Sequence, residues 1–239
     1  MNVVKKTSAL FCMLLVMALV VSSAAFGASA VAKTEVALRE AFPQVQFESI
    51  APTDIAGLYE VVVGQNVIYF YPEKEYLFIG DIVSKDGKSL TAEKKGALAA
   101  KLMKSLPLDK AVKIGNGKKV IVEITDPDCP YCRKGSEYMA QKSDLTRYVF
   151  FAPLAHPAAI SKIYYILGAQ DKVKAYEEMM AGKEIPASAP PVSEAVKALA
   201  QEHLELAKKA GVTGTPTFYV KGQVVVGANT GRLDELLKD

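Results

Sequence analysis

Val120-Ile121-Val122-Glu123-Ile124-Thr125-Asp126-Pro127-Asp128-Cys129-Pro130-Tyr131-Cys132 runs from a β-branched strand, through an acidic turn containing proline, to a pair of cysteines. The pattern delivers both thiols to the start of a helix predicted to continue over 133–142. At a helix N-terminus, unpaired backbone N–H groups and the positive end of the macrodipole favour a thiolate. Two residues, Pro130 and Tyr131, separate the thiols, so Cys132 can attack a mixed disulfide formed at Cys129. The spacing therefore casts Cys129 as the nucleophile and Cys132 as the resolving thiol. The same pair could ligate metal, but structural zinc takes four ligands, and His156 and His203 are distant in sequence. No metal and no other cofactor is expected. A structural disulfide closing so short a loop would constrain the unfolded chain little.

The chain has 239 residues, half of them hydrophobic, and a formal charge of +3. Lys5 and Lys6 precede an apolar run from Ala9 to Val21, followed by Ala28-Ser29-Ala30. That run is too short for a membrane span of about 20 residues and suits a cleavable export signal over residues 1–30. Cys12 leaves with such a signal, so Cys129 and Cys132 are the two cysteines of the mature chain. Export places them where disulfides persist, and the expected compartment is the periplasm. Loss of Lys5 and Lys6 lowers the charge from +3 to +1 (3 − 2). Acidic and basic residues are interspersed along the remainder with no basic stripe, which argues against nucleic acid and for protein partners.

Around this motif the chain divides into a smaller N-terminal domain over 31–87, a linker helix over 88–106 and a larger domain over 107–239. Residues 31–47 open with an amphipathic segment (Val36, Leu38, Ala41, Phe42) stopped by Pro43. Residues 57–83 read as a β-meander, with runs from Leu58 to Val63, Val67 to Tyr71 and Tyr76 to Ile79 broken by turn residues. So few strands leave edges that invite pairing with a second copy. Thr91 is placed to cap the linker helix, and Pro107 ends it.

In the larger domain, Asn116-Gly117 between two apolar runs predicts a hairpin joining 111–114 to 118–125. The strand, the motif helix and a strand over 147–151 make a β-α-β unit. A helical insertion over about 157–210 follows. Pro157 opens its first helix, Asp171 caps the second, which Gly182 stops, and Ser193 caps the third. Residues 217–226 read as a hairpin with a turn at Lys221-Gly222-Gln223, and a short helix from about Arg232 closes the chain.

Three further positions carry candidate chemistry. Glu123 is a carboxylate in an otherwise apolar strand, where burial would let it exchange protons with Cys132; the alternative is a strand-end glutamate reaching water. Gly214-Thr215-Pro216-Thr217 puts a proline at the entrance to a strand, a place where a cis bond implies a purpose and where Thr215 could pair with an extended substrate. His156 and His203 read as structural.

Together these features resemble the bacterial periplasmic disulfide isomerases of the DsbC/DsbG type. Cys129-Pro130-Tyr131-Cys132 is similar to the active-site pair of that family, with the dipeptide of the DsbG branch. Gly211-Val212-Thr213-Gly214-Thr215-Pro216 resembles its cis-proline loop, and the segment from Gly57 to Asp81 resembles its dimerisation domain. The resemblance implies an α+β chain: a small cystatin-like, β-rich N-terminal dimerisation domain, a linker helix, and a thioredoxin-like domain with a helical insertion. It also implies a V-shaped homodimer with an apolar cleft for unfolded or misoxidised exported proteins. The substrate would lie against Thr215, Pro216, Pro130 and Tyr131, and a membrane thiol reductase of the DsbD type would keep Cys129 reduced.

The chain departs from the family in three places. Gly168 and Ala189 stand where the DsbC branch has a second, structural disulfide. Glu123 is more like the buried acid of thioredoxin and of DsbA than like the apolar residue expected in DsbC and DsbG. The proline-tyrosine dipeptide leaves open a DsbG-like preference for folded substrates or for sulfenic acids on single cysteines. The expected function is thus a disulfide isomerase or reductase, with a DsbA-like dithiol oxidase, a DsbG-like sulfenic acid reductase and a non-enzymatic periplasmic chaperone as alternatives.

Overall fold

The computed structural model describes residues 29–238. The proposed export signal and Cys12 lie outside the described residues, apart from Ser29 and Ala30. The chain separates into two compact units, one ending at Thr91 and one beginning at Ala92. No helix among the described residues is long and apolar enough to cross a membrane.

The first unit pairs helix α1 (residues 29–41) with a four-stranded antiparallel sheet. Its strands β1 (Ser49–Pro52), β2 (Tyr59–Val63), β3 (Asn66–Tyr71) and β4 (Tyr76–Phe78) lie side by side in chain order. The meander is as expected, and β1 extends it; a four-residue Ser-Ile-Ala-Pro strand has too little alternation to be read from sequence. Leu38 of α1 packs on Val61, Ile68 and Phe70, and Phe42 meets the Phe70 ring edge-on. Thr91 does not cap the next helix from outside. It lies within α2 (Leu90–Lys104), fully buried, where its hydroxyl shares a 2.5 Å hydrogen bond with the Tyr69 hydroxyl and accepts one from the Ile82 amide.

In the second unit a five-stranded sheet runs in the order β5-β7-β6-β8-β9. These strands are Val112–Ile114 (β5), Lys119–Thr125 (β6), Leu145–Phe151 (β7), Thr217–Val220 (β8) and Gln223–Val226 (β9). Strands β6 and β7 are parallel and joined by α3 (Pro130–Ala140); the other neighbours are antiparallel. The expected hairpin between β5 and β6 does not form, because β5 pairs with the far edge of β7. Gly117, which signalled a turn, serves a close crossing instead. A Cβ on Gly117 would lie 1.9 Å from the Asp144 carbonyl carbon, and the Gly117 amide donates to the Leu145 carbonyl at 3.0 Å.

Alternation along β6 assigns its two faces. Val122 and Ile124 join Met103 from the end of α2 and Ala207 from α6 (Glu194–Lys209). Ile121 meets Met139 of α3 and Leu233 of α7 (Thr230–Leu237). The insertion contributes α4 (Ile160–Gly168), α5 (Lys172–Met180) and α6, with Asp171 and Ser193 capping α5 and α6 as their sequences require. His203 of α6 is buried. Its Nδ1 accepts from the Phe151 amide and its Nε2 faces the Lys110 carbonyl, and burial pushes its pKa down to about 4.

Candidate active site

The site forms where β6 ends. Thr125 closes the strand, the Asp126 carbonyl accepts from the Cys129 amide at 3.1 Å, and Cys129 becomes the N-cap of α3 with Pro130 in its first turn. Pro suits that place because its missing N–H would have no helical partner there. Both cysteines are free thiols and both are buried, at 5% exposure for Cys129 and 0% for Cys132. They pack in one cluster with Phe151 of β7, Ile163 of α4 and Tyr176 of α5, so the insertion walls the thiols.

The loop before β8 lies beside them. Thr215-Pro216 is cis, and the Cys129 Sγ donates to the Thr215 carbonyl at 3.5 Å. Gly135 of α3 allows this approach: a Cβ there would meet Phe218 Cζ at 3.3 Å and Pro216 Cγ at 3.7 Å. Tyr131 stands 64% exposed at the mouth, with the Lys134 ammonium 6.0 Å from its ring centre. Cys129, Cys132, Thr215, Pro216, Pro130 and Tyr131 are therefore contiguous in sequence or space. The two thiols differ sharply in surroundings. Burial, the leading cause, pushes the Cys132 thiol up to about 12, opposed by the nearby Thr215 and Thr125 and assisted by the neighbouring Cys129. The buried Thr125 hydroxyl finds no well-aligned partner, yet it borders Cys132 and favours its thiolate.

Glu123 is fully buried and does not reach water. Its carboxylate is engaged by Arg147 of β7, whose Nη2 lies 2.7 Å and Nε 3.2 Å away. Tyr176 completes the group: its hydroxyl lies 3.3 Å from Glu123, 2.7 Å from Arg147 and 3.0 Å from the Ser136 hydroxyl of α3. Desolvation is the largest single influence on Arg147 and opposes its charge, but Glu123 and Tyr176 together outweigh it and hold the guanidinium pKa up; burial raises that of Tyr176. Arg147 was overlooked in the sequence. The one charge within Leu145–Phe151 and the one acid within Lys119–Thr125 were the signal that they pair.

The acidic turn is held just as firmly. The buried Asp126 carboxylate takes His156 Nδ1 at 2.8 Å through one oxygen and the Asp128 amide at 2.9 Å through the other. Neither histidine shares a hydrogen bond with a thiol: His156 holds the turn and His203 ties α6 to β7. Among the described residues no group of three or more His, Cys, Asp or Glu is arranged to hold a metal ion.

Comparison with known proteins follows the two units. Residues 23–92 match the disulfide bond isomerase protein N-terminal domain, and residues 106–239 match the thioredoxin-like domain. The probable thiol:disulfide interchange protein DsbC of Bordetella pertussis is 29% identical over 200 residues, covering 80% of this chain and 70% of that protein. The DsbC protein of Escherichia coli is 27% identical over 187 residues, covering 76% of each. Among solved structures, a linker-deletion variant of Proteus mirabilis ScsC superposes with a TM-score of 0.51 at 20% identity, over 59% of this chain and 81% of that one; this likeness speaks for the fold. The chain belongs to the thioredoxin-like thiol:disulfide interchange proteins, in the branch that carries the disulfide bond isomerase N-terminal domain ahead of the catalytic one.

Proposed function

We propose that this chain is a periplasmic disulfide isomerase and reductase acting on misoxidised exported proteins through Cys129 and Cys132. The observation that carries the reading is the contrast between the thiols. Cys129 caps α3 beside the Thr215 carbonyl, while Cys132 lies behind it, fully buried, with its pKa pushed up to about 12. The Cys129 thiolate attacks a substrate disulfide, forming a mixed disulfide and releasing one substrate sulfur as thiolate. A second substrate thiolate can then attack the substrate sulfur of that bond, which returns Cys129 and leaves a rearranged disulfide with no net redox change. Alternatively, Cys132 attacks the Cys129 sulfur, which reduces the substrate and oxidises the pair; a membrane reductase of the DsbD type would then restore the dithiol.

Burial holds Cys132 in its thiol form at pH 7. Part of the pKa elevation comes from Cys129 and disappears once Cys129 is bound in a mixed disulfide, but the burial remains. Slow internal resolution prolongs the mixed disulfide and favours rearrangement over reduction. Thr215 and Pro216, with Pro130 and Tyr131 of the motif, are the groups we assign to the substrate backbone. Pairing of two copies through β4 is supported by the exposed Tyr76, Phe78 and Ile79 along the outer edge of that sheet.

The oxidase alternative leans on Glu123 as a proton acceptor for Cys132. Its carboxylate is engaged by Arg147 and Tyr176, which supports a structural use of the acid. Reactivation of disulfide-scrambled ribonuclease tests the proposal. The wild-type chain should restore activity and Cys129→Ser should abolish it. A wild-type chain that reshuffles nothing, yet suppresses aggregation of unfolded substrate as well as Cys129→Ser does, would leave a chaperone that merely holds substrate; oxidation of reduced ribonuclease without reshuffling would leave an oxidase.

A further inference from the structure

Asp128 immediately precedes the nucleophile, where a carboxylate opposes the thiolate that the helix N-terminus favours. Its Oδ1 is met by two cations from different elements. Lys162 of α4 places Nζ at 2.6 Å, and Arg133 of α3 places Nη2 at 3.2 Å. Arg133 also donates through Nε to the Pro127 carbonyl at 2.8 Å, so one side chain grips both the turn and its charge. The Lys162 side chain is 17% exposed and that of Asp128 24%, which limits solvent screening of the pair. The other acid of the turn, Asp126, is taken by His156.

We propose that Lys162 and Arg133 are positioning residues that set the redox equilibrium of the Cys129–Cys132 pair by neutralising Asp128. The inference rests on the dithiol reading above and deepens it. Without Lys162, the charge of Asp128 bears on Cys129, the reduced state loses part of its thiolate stabilisation, and the equilibrium moves toward the disulfide. The insertion helix α4 thereby acts on the motif through a charge carried by its own side chain.

Equilibration of the full chain with glutathione at pH 7 measures the effect. Two glutathione thiols reduce the protein disulfide to the dithiol and leave as one glutathione disulfide. Their two electrons pass to the sulfurs of Cys129 and Cys132; one proton ends on Cys132 and the other on Cys129 or, where that sulfur is ionised, in solvent. Lys162→Met should shift the equilibrium toward the disulfide by about two- to five-fold. Arg133→Gln should shift it in the same direction, and Lys162→Arg should restore the wild-type value. Asp128→Asn alone should shift the equilibrium toward the dithiol, and Asp128→Asn with Lys162→Met should return it to within about 1.5-fold of wild type, because the two opposite charges are then removed together. A double variant that stays as oxidised as Lys162→Met alone, or no shift from Lys162→Met in the presence of Asp128, overturns the proposal. A wild-type chain that does not exchange with glutathione at all instead overturns the dithiol reading, and the inference falls with it.

Discussion

The two sheets of this chain meet the same requirement in opposite ways. The five-stranded sheet buries both faces of its central strands, and even the charges it admits, Glu123 and Arg147, are paired inside. The four-stranded sheet is packed by α1 but leaves Tyr76 at 59%, Phe78 at 50% and Ile79 at 86% exposure along its last strand and beyond. Large apolar residues so exposed beside a sheet edge support the pairing of copies proposed above. The sheet that carries the thiols closes its core within one copy; the other keeps an apolar edge open.

Substitutions can break this contrast, beginning with the buried pair. Glu123→Leu leaves Arg147 charged in the interior with no counter-charge and the Tyr176 hydroxyl as its remaining partner, and should cost about 3–5 kcal/mol of unfolding free energy by urea titration. Adding Arg147→Met should recover much of the loss, since no lone charge then remains. A single variant as stable as wild type would mean that water already reaches the pair.

The next effect is carried by His203. Its folded pKa of about 4 lies below its unfolded value of about 6.5, so between these values the unfolded state binds the extra proton. Stability therefore falls as pH drops from about 6.5 to about 4, by about 3 kcal/mol for this group when complete. His203→Gln should flatten that part of the stability profile, and hydrogen exchange over residues 145–151 should report it; an unchanged slope would assign acid sensitivity to other groups.

The smallest change in unfolding free energy is expected at the apolar edge. Phe78→Asp with Ile79→Asp should shift sedimentation toward the monomer, while the unfolding energy of the catalytic unit stays within about 0.5 kcal/mol. Loss of catalytic-unit stability in that variant would show that the two sheets do not stand apart energetically.

Much of this architecture was legible because its signals are local. The spacing of Cys129 and Cys132, Pro130 after an N-cap position, and the caps Asp171 and Ser193 each satisfy a backbone need within a few residues. What escaped depends on partners distant in sequence. Asn116-Gly117 carried the local signature of a hairpin, but Gly115 and Gly117 instead let the chain slip past Asp144 and Leu145. Thr91 had the chemistry of a cap and is buried against Tyr69, 22 residues away. Glu123 could be read as an acid in an apolar strand, but the guanidinium opposite it comes from a strand 24 residues on. At the site itself, the thiol pair and the Thr215-Pro216 loop were visible, while the setting of Asp128 between α3 and α4 required the fold.

Among the described residues the free thiols are Cys129 and Cys132, and nothing else in them holds sulfur that disulfide exchange can attack. A catalyst that breaks disulfides works in a pool of its own kind, where each copy is also a potential victim of its neighbours. Each of the two units is held by apolar packing, and the second also by capped helices and an internal ion pair, so thiol exchange finds no crosslink among the described residues whose loss would unravel either. Within those residues the reaction has one target, the site where it takes place.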